Sequence, residues 1–386
     1  MKVAFIGDFI NHGKFLVPTS TSIVLLLSNI PDIEVIDVYC PILNKKTEPF
    51  KEPVNVKIIE SYKYDNPVSI IKLLKVRKKH YDKIIFNIMP TAFGNSSLAN
   101  LTGLLVPLML SIMFRKKNIE IVYHNSVYTN DILKLGYDSS YDKLRSLILS
   151  IVERIIFKSV RTFVFLEFYK GKIARKIGRN QLRVLNGRYL EAITTIYLNG
   201  IYDQDYLPRS VNHKSPQVLM HGYWGPQKNI ELGLDALVEL RNQGILFDLT
   251  ISGSINNHFK EYEGQFDLLL EKSKKMLKNY EGFVKEIDIM NLFTNADLLI
   301  LPYNTPGGRS AVLEQAIFFE VPTIAIDFPE FREQAEKFNF VALINSEENL
   351  KIYAKEILLD NELKNTEINI KEKIQQAITN IQKLLE

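Results

Sequence analysis

A glycine-rich loop between a strand and a helix carries the most informative group of polar residues in the sequence. The apolar run 298–301 ends just before this loop, and Ser310 is well placed to cap the helix that follows it. Gly307 and Gly308 would let the loop backbone pass close to a ligand. Glu314 lies about one turn into the helix, where its carboxylate is placed to accept hydrogen bonds from paired hydroxyl groups, such as those of a ribose. The alternative is that Glu314 only stabilises the start of the helix.

A second candidate group follows another apolar run, 217–221. Gly222 and Tyr223 come directly after this run, and Lys228 precedes a helix that begins at residue 230. The backbone N–H groups at a helix N-terminus and the helix macrodipole favour an anion, and a lysine adds a full positive charge. This placement predicts a phosphate-binding position. The alternative is a surface lysine without a ligand.

The first half of the chain has its own polar residues at strand ends. His124 and Asn125 directly follow the apolar run 119–123, and a neutral histidine there is suited to hydrogen-bond a sugar hydroxyl. Gly7 and Gly13 follow the first apolar run and would let a phosphate or a sugar approach the backbone. Their spacing lacks the G-x-G-x-x-G pattern of a dinucleotide site. A polar loop without a ligand is the alternative for both groups.

Several other chemistries find no support in the sequence. No grouping of His, Cys, Asp and Glu has the spacing of a metal site, and neither a nucleophile elbow nor a P-loop is present. The single cysteine, Cys40, leaves no intramolecular disulfide. We therefore predict a site that uses no metal and no cofactor.

Short apolar runs alternate with longer segments of helical periodicity along the chain. Most runs are mainly apolar rather than alternating, as in parallel strands that are buried on both faces. This alternation predicts doubly wound α/β sheets, in which ligands bind beyond the carboxyl ends of the strands. The predicted strands are 3–6, 35–39, 56–59, 83–86, 119–123, 162–166, 217–221, 247–252, 298–301, 323–326 and 341–344. The predicted helices are 20–28, 68–79, 98–114, 141–158, 230–243, 263–279, 287–293, 311–319 and 347–360.

A length of 386 residues is enough for two or three domains of ordinary size. The strand–helix pattern weakens over 199–216, which we interpret as the linker. We therefore predict a Rossmann-like N-terminal domain over 1–205 and a Rossmann-like C-terminal domain over 206–360. The remaining segment, 361–386, is predicted to form an amphipathic helix that packs back across the domains.

Positive charge is concentrated in the first half of the chain, although the net charge is only +4. Residues 115–188 contain 16 Lys/Arg and 6 Asp/Glu. A second basic cluster comprises Lys72, Lys75, Arg77, Lys78, Lys79 and Lys83. This asymmetry favours an anionic partner for the N-terminal half. Ordinary solvated helix faces are the alternative.

Two segments bear on membranes. The longest apolar run, 101–114, falls short of the roughly 20 residues that a spanning helix needs, so we predict a buried core helix. The N-terminus resembles a first strand rather than a signal peptide. The helix predicted over 68–79 combines lysines with apolar side chains, as in a helix that lies on a membrane surface. Those apolar residues are Ile70, Ile71, Leu73 and Leu74.

Together these features resemble the retaining glycosyltransferases of family 4, which have the GT-B fold of two Rossmann-like domains facing across a cleft. The similarity is strongest over 218–333. The second domain of that family opens with Gly-Arg-x-x-x-x-Lys-Gly, and here residues 222–229 read Gly-Tyr-Trp-Gly-Pro-Gln-Lys-Asn. The family then carries two glutamates separated by seven residues, and Glu314 matches the second. The pairs 124–125 and 199–200 resemble the family's His-Asn and the His-Gly before its linker.

Two positions depart from the family pattern. Pro306 replaces the first glutamate, which contacts the donor sugar in the family, and Tyr223 replaces an arginine that contacts the diphosphate. We hypothesise that Arg309, in the glycine-rich loop, supplies the missing positive charge.

The resemblance implies transfer of a hexose from a UDP- or GDP-sugar to a glycan or lipid-linked acceptor, with retention of anomeric configuration and without a metal. It assigns the acceptor to the N-terminal domain and the donor to the C-terminal domain. The catalytic residues it implies are His124, Lys228 and Arg309. The donor-binding residues it implies are Gly7, Gly13, Asn125, Gly222, Tyr223, Lys228, Gly307, Gly308, Arg309, Ser310 and Glu314.

Other functions stay open at this point. Pro306 favours a non-catalytic, glycosyltransferase-like subunit that binds a nucleotide sugar or regulates an enzyme, whereas the retained Lys228 and Glu314 oppose it. The basic surplus would permit nucleic-acid binding, but no basic motif with interleaved aromatic residues is present, so we predict no nucleic-acid partner. The basic half fits an anionic membrane surface better, and we predict a cytoplasmic protein that is peripheral on the inner face of the membrane.

Overall fold

The computed structural model describes residues 1–10, 16–42, 50–113, 118–129, 139–208, 214–305, 308–359 and 367–386. Gly13, Pro306 and Gly307 lie outside these ranges. The chain forms two compact units, of which the first contains Met1–Thr194 and Ile374–Glu386 and the second contains Thr195–Lys373. The boundary predicted from the sequence lay at residues 205 and 206.

The first unit is built on a parallel sheet of seven strands, in the order β3-β2-β1-β4-β5-β6-β7. These strands are β1 (Lys2–Ile6), β2 (Val35–Pro41), β3 (Val56–Tyr62), β4 (Lys83–Ile88), β5 (Ile119–Tyr123), β6 (Arg161–Val164) and β7 (Leu182–Val184). Strands β4 and β5 are buried at every position, as expected for a parallel sheet with both faces covered.

The helices of the first unit connect these strands. They are α1 (Val17–Ser28), α2 (Pro67–Ile71), α3 (Ser97–Met113), α4 (Ser140–Ser159), α5 (Glu167–Ile177) and α6 (Leu190–Leu198), the last of which continues into the second unit. Gly103 allows α3 to pack closely, because a Cβ at that position would lie 2.1 Å from the ring of Phe93. Among the described residues, no helix is both long enough and apolar enough to cross a membrane.

The second unit contains a parallel sheet of six strands, in the order β11-β10-β9-β12-β13-β14. They are β9 (Gln217–His221), β10 (Asp248–Ser252), β11 (Leu277–Glu281), β12 (Leu298–Leu301), β13 (Thr323–Ile326) and β14 (Val341–Ile344). A separate antiparallel pair joins β8 (Tyr206–Pro208) to β15 (Glu367–Asn369). The two parallel sheets confirm the predicted doubly wound α/β fold class.

The helices of the second unit are α7 (Ile230–Asn242), α8 (Glu263–Ser273), α9 (Ile289–Thr294), α10 (Ala311–Phe318), α11 (Pro329–Ala335), α12 (Glu347–Leu359) and α13 (Ile370–Ile381). Helix α13 begins in the second unit and ends in the first. One face of the sheet packs on a core that includes Trp224, Phe247 and Phe266, all buried.

Two predicted helices differ from the structure because parts of them pair as strands. The helix predicted over 263–279 ends at Ser273, and residues 277–281 form the edge strand β11 beside β10. Within the described part of the tail predicted as a helix over 361–386, residues 367–369 form strand β15, where Ile368 pairs with Leu207, and the helix begins at Ile370. Both strands are short and mostly polar, so the sequence has no apolar run at either position.

Two predictions about apolar helices were wrong. The predicted surface helix over 68–79 is a short α2 followed by 3-10 turns over Lys72–Lys78, and Ile70 and Leu73 are buried in the core. Helix α3 was predicted to be buried, but only one side of it packs on the core. Met109 and Ile112 are exposed on its other side, at 42% and 72%.

Candidate functional site

The candidate residues of the second unit follow two neighbouring strands. Strand β9 lies between β10 and β12, and the chain builds the sheet outward in opposite directions from β9 and β12. Open α/β sheets bind ligands at such a point, beyond the carboxyl ends of the strands. Lys228 lies in the connection after β9, and Glu314 lies in the helix that follows β12.

Lys228 is a half-buried cation. Its Nζ lies 3.6 Å from the centroid of the Tyr303 ring. Within the described ranges, no carboxylate forms an ion pair with this ammonium group. Burial lowers the pKa of Lys228 to about 7, because the charged form loses its hydration without gaining an anionic partner. An incoming anion would therefore be strongly favoured at this position.

His221, the last residue of β9, shares this environment. Its Nδ1 lies 2.9 Å from Oγ of Ser252, and its ring packs edge-on against Phe293 at 5.8 Å. Burial, followed by the charge of Lys228, lowers the pKa of His221 to about 4. The imidazole is therefore neutral at physiological pH. Of His221 and Lys228, only Lys228 changes its charge near neutral pH.

The loop after β12 is tied to the loop that carries the lysine. The backbone N–H of Asn304 donates a hydrogen bond to the carbonyl oxygen of Gln227 at 3.0 Å. Tyr303 is only 1% exposed, and its ring also packs edge-on against Phe331 of α11 at 5.8 Å. Tyr303 thus connects the lysine to α11.

Glu314 is held in a buried hydrogen-bond network at the start of α10. Ser310 caps this helix, because its Oγ accepts from the backbone N–H of Leu313 at 3.2 Å. The Gln334 amide, from α11, donates to Oε1 of Glu314 at 3.0 Å and to the carbonyl oxygen of Ser310 at 3.1 Å. It also accepts from the Ser310 N–H at 3.1 Å. This network fixes the carboxylate relative to both helices.

Arg309 contacts the same carboxylate. Its Nε lies 3.4 Å from Oε1 of Glu314, and the two side chains are only 8% and 5% exposed. The sequence predicted that Arg309 supplies a separate charge for a diphosphate, whereas the structure pairs it with Glu314. The contact at Nε is an ion pair rather than a hydrogen bond.

A close approach of two glycines sets the turn after β9. A Cβ on Gly253 would lie 1.7 Å from the carbonyl oxygen of Gly222, and the φ of Gly253 is +102°. Glycine is therefore required at residue 253. Trp224 is buried in the same turn, where its Nε1–H donates to the carbonyl oxygen of Ser252 at 3.0 Å. Tyr223 remains 46% exposed.

Asn229 joins the lysine loop to α7 in a left-handed conformation, with φ and ψ both 45°. The family that this segment resembles has glycine at this position. Asparagine is one of the few other residues that adopt left-handed backbone angles at low cost. The substitution therefore preserves the path of the loop that presents Lys228.

The candidate residues of the first unit gather at the carboxyl edge of its sheet. Nε2 of His124, after β5, lies 2.7 Å from Oδ1 of Asn87 in β4, and Asn87 donates to Oγ of Ser20 at 2.7 Å. A Cβ on Gly7, after β1, would lie 3.1 Å from the Asn87 carbonyl oxygen. Asn125 has a left-handed φ of 52°. The structure thus brings Gly7, His124 and Asn125 to one edge.

Glu153 of α4 anchors the loop that contains these residues. Its buried carboxylate accepts hydrogen bonds from the Tyr123 hydroxyl at 2.9 Å and from Oγ of Ser126 at 2.5 Å. It also accepts from the Val127 N–H at 3.2 Å. Burial raises the pKa of Glu153 to about 7, although these donors oppose the shift. The carboxylate thus contacts residues on both sides of His124.

Four residues of these sites were missed by sequence reasoning. Asn87 and Glu153 interrupt apolar patterns, in β4 and on the buried face of α4, and those interruptions were a usable signal. Tyr303 and Gln334 gave no such signal, because their roles depend on contacts between elements that are distant in sequence.

No group of three or more His, Cys, Asp or Glu side chains that could hold a metal ion occurs in the part of the chain that the structure describes. The independence from metals and cofactors that the sequence suggested stays a prediction.

The second unit matches a known family. Residues 206–376 match the family model described as glycosyl transferases group 1. The matched segment contains Lys228, Arg309, Ser310 and Glu314. The second unit is therefore similar to glycosyl transferases group 1, which confirms the predicted relationship at this level. No curated protein sequence is similar enough to the chain to count as a relative.

Solved structures are similar over the whole chain. Sucrose-phosphate synthase from Thermosynechococcus elongatus has a TM-score of 0.64 at 13% identity, covering 100% of this chain and 96% of that chain. Anabaena HepE in complex with UDP and glucose has a TM-score of 0.60 at 12% identity, with coverages of 100% and 98%. The lipopolysaccharide outer core galactosyltransferase WaaB, in its apo form, has a TM-score of 0.58 at 13% identity, with coverages of 100% and 99%. These similarities confirm the GT-B fold.

Proposed function

We propose that the protein transfers a hexose from a UDP- or GDP-sugar with retention of anomeric configuration. Lys228 is the observation that carries this proposal. It is a half-buried ammonium group without a carboxylate partner among the described residues, and it lies at the carboxyl end of β9 within the unit that is similar to glycosyl transferases group 1. The diphosphate of a nucleotide sugar is the anion that fits this position. The similar Anabaena structure contains UDP and glucose.

The remaining donor contacts are proposed around Lys228. Glu314 would accept hydrogen bonds from the ribose hydroxyls, and Ser310 with the N-terminus of α10 would face the phosphates. Arg309 keeps Glu314 in place and directs further donors towards the diphosphate. The other proposed contacts are Gly7, Asn125, Gly222, Tyr223 and Gly308, together with Gly13 and Gly307, which lie outside the described residues.

The proposed chemistry concerns the leaving group. As the bond between the sugar and the nucleoside diphosphate breaks, negative charge grows on the departing phosphate oxygen. Lys228 and Arg309 would stabilise this charge, which is usually the largest contribution an enzyme makes to such a step. His124 would hydrogen-bond the transferred sugar. The proposal requires neither a metal nor a cofactor.

The proposed acceptor is a glycan or a lipid-linked glycan presented at an anionic membrane surface. The basic surplus of the N-terminal half supports this part of the proposal, because juxtamembrane Lys and Arg are attracted to anionic lipid. The protein would act from the cytoplasm, peripherally on the inner face of the membrane.

A thermal-shift panel of UDP-, GDP- and ADP-sugars tests donor binding, because a ligand that binds only the folded state raises the apparent stability. We expect a shift with a UDP- or GDP-sugar and a much smaller shift for Lys228→Met. Lys278→Met, at a lysine that is 52% exposed, is the matched control. NMR of a transfer product then reports the anomeric configuration. An inverted product would reject retention, and unchanged shifts for Lys228→Met would reject the site.

A non-catalytic nucleotide-sugar-binding subunit is the second candidate function. Pro306 favours it, because the resembling family has a sugar-contacting glutamate at that position. The two functions predict different outcomes with the preferred nucleotide sugar. The enzyme releases nucleoside diphosphate when an acceptor extract is added, whereas the subunit binds the sugar nucleotide without turnover.

A further inference from the structure

Helix α4 is apolar on two different faces. Its inner face is buried, at Leu149, Val152, Ile156 and Phe157. Its outer face exposes Leu144, Ile148, Ile151 and Ile155 at 57%, 43%, 54% and 44%. These four residues recur every three or four positions, so they form one stripe along the helix. A solvent-facing helix surface normally carries polar residues there.

Helix α3 extends this exposed apolar surface. Right-handed crossovers from β4 to β5 and from β5 to β6 place α3 and α4 on the same side of the sheet. The hydroxyls of Ser97 and Tyr141 lie 2.6 Å apart, which joins the two helices near their N-terminal ends. The 17 residues of α3 include no charged side chain, and its outer side exposes Met109 and Ile112.

We call the exposed apolar side chains of these two helices the α3–α4 face, which comprises Met109, Ile112, Leu144, Ile148, Ile151 and Ile155. Exposed apolar side chains grouped on neighbouring helices mark an interaction site in a folded protein. It belongs entirely to the first unit, whereas Lys228 and Glu314 belong to the second.

The charges that border this face are basic. Lys143, Arg154 and Lys158 are exposed on α4 beside the stripe. Of the two acidic residues of the helix, Glu153 is fully buried, so only Asp142 offsets these three basic residues at the surface. A second copy of this chain on the same face would bring like charges together. An anionic surface would attract them.

We propose that the α3–α4 face docks on a bilayer that contains anionic lipid, with the apolar stripe at the boundary between headgroups and acyl chains and the basic residues at the lipid phosphates. This inference rests on the proposed function, in which the acceptor is presented at a membrane. It replaces the surface helix expected over 68–79 with a surface formed by α3 and α4.

Sedimentation of the full-length protein with vesicles tests this docking. Vesicles of phosphatidylglycerol and phosphatidylcholine are compared with vesicles of phosphatidylcholine alone. We expect binding to the anionic vesicles that weakens at high salt, and at least tenfold weaker binding for Ile148→Glu and Arg154→Glu. Leu268→Glu and Lys275→Glu, exposed on and beside α8, are matched controls that should bind like wild type. Failure of wild type to bind, or wild-type binding by Ile148→Glu, would overturn the proposal.

A fluorescent reporter measures insertion directly. The chain has a single tryptophan, Trp224, which is buried in the second unit. In Ile151→Trp, we expect the added signal to be quenched by brominated lipid, while wild-type fluorescence stays unchanged. An unquenched reporter on bound protein would overturn docking through this face. A wild-type dimer that Ile148→Glu converts to a monomer would likewise overturn it in favour of a second copy.

Nucleotide binding in the same samples separates the two proposals. Ile148→Glu should retain the thermal shift with the preferred nucleotide sugar, because its substitution lies outside the unit that carries Lys228. Wild type that binds the nucleotide sugar but no vesicles rejects only the docking. Wild type that binds vesicles through this face but no nucleotide sugar rejects only the proposed function.

Discussion

Nε of Arg309 lies 3.4 Å from Oε1 of Glu314, and both side chains are almost completely buried. Gln334 donates to the same carboxylate oxygen. The sequence assigned the arginine to a diphosphate and the glutamate to a ribose, as two separate tasks. In the structure the two side chains contact each other. Substitutions of Arg309, in the loop before α10, and of Glu314, within α10, should therefore have coupled effects.

This pairing predicts non-additive stability. Arg309→Met and Glu314→Gln should each lower the free energy of unfolding by about 3–5 kcal/mol, because each removes one charge of a buried ion pair. The double variant should lose clearly less than the sum of the two. Urea denaturation of the four proteins measures this coupling.

The exposed pair Lys274–Glu271 provides the control, because both side chains are at least 70% exposed. Removing it should change stability by less than about 1 kcal/mol. Additive losses at Arg309 and Glu314 would show that the two side chains act independently.

Donor affinity should depend on pH through Lys228, whose pKa burial lowers to about 7. A diphosphate prefers the ammonium form, so above pH 7 the free protein must take up a proton on binding. The dissociation constant of a UDP- or GDP-sugar should rise by up to tenfold per pH unit between about pH 7 and pH 9. Isothermal titration over this range checks the slope. Lys228→Met should bind the nucleotide sugar weakly, with a dissociation constant that does not change with pH over this range. An equal pH dependence in that variant would show that a group other than Lys228 causes it.

Glu153 should make stability fall as pH rises. Burial raises its folded pKa from 4.5 to about 7, so the fold favours the protonated form. The stabilisation is fully present below pH 4.5 and is lost as pH rises through 7. At about 1.4 kcal/mol per pKa unit, the loss is on the order of 3 kcal/mol.

Denaturation of wild type and Glu153→Gln at pH 4.5, 6 and 8 isolates this contribution, because the other titrating groups are common to both proteins. Glu167→Gln, at a glutamate that is 66% exposed, serves as the control. Identical pH dependence in wild type and Glu153→Gln would contradict the assignment.

Gly253 lies close to the Gly222 carbonyl, whereas Gly264 has open space around it, so alanine should have opposite effects on stability at residues 253 and 264. Gly253→Ala should cost about 3 kcal/mol or more, because its Cβ would overlap the Gly222 carbonyl and its φ is left-handed. Gly264→Ala, in α8 with open space around it, should stabilise by up to about 1 kcal/mol. Thermal denaturation compares them. A tolerated Gly253→Ala would show that the turn before Lys228 is readily rearranged.

Buried strands of the fold were predictable because their sequences are mainly apolar. Strands 119–123, 217–221, 298–301, 323–326 and 341–344 have the same bounds in the structure as in the prediction. The edge strand β11 was not predictable, because four of its five residues are exposed and polar or aromatic. Helix α3 was predicted to be buried because its apolar run is too short to span a membrane, but an apolar composition does not show how many sides of a helix pack against the core.

Residues of the candidate site were predictable where their position along the sequence, after a predicted strand, indicated a binding role. Lys228, Ser310 and Glu314 each follow a strand end, and the topology brings those strands together. The pairing of Arg309 with Glu314 and the contacts of Gln334 were not predictable, because α11 must first pack against α10. The contact of Lys228 with Tyr303 likewise exists only once β9 and β12 lie side by side.

Equilibrium dialysis with labelled UDP- and GDP-hexoses at pH 6.5 measures directly whether Lys228 binds the nucleotide-sugar donor. The wild-type protein should bind one of the two nucleotide sugars, Lys228→Met should bind it at least about tenfold more weakly, and Lys278→Met should bind like wild type. Equal affinity in Lys228→Met, or no binding of either nucleotide sugar by the wild-type protein, would contradict the account.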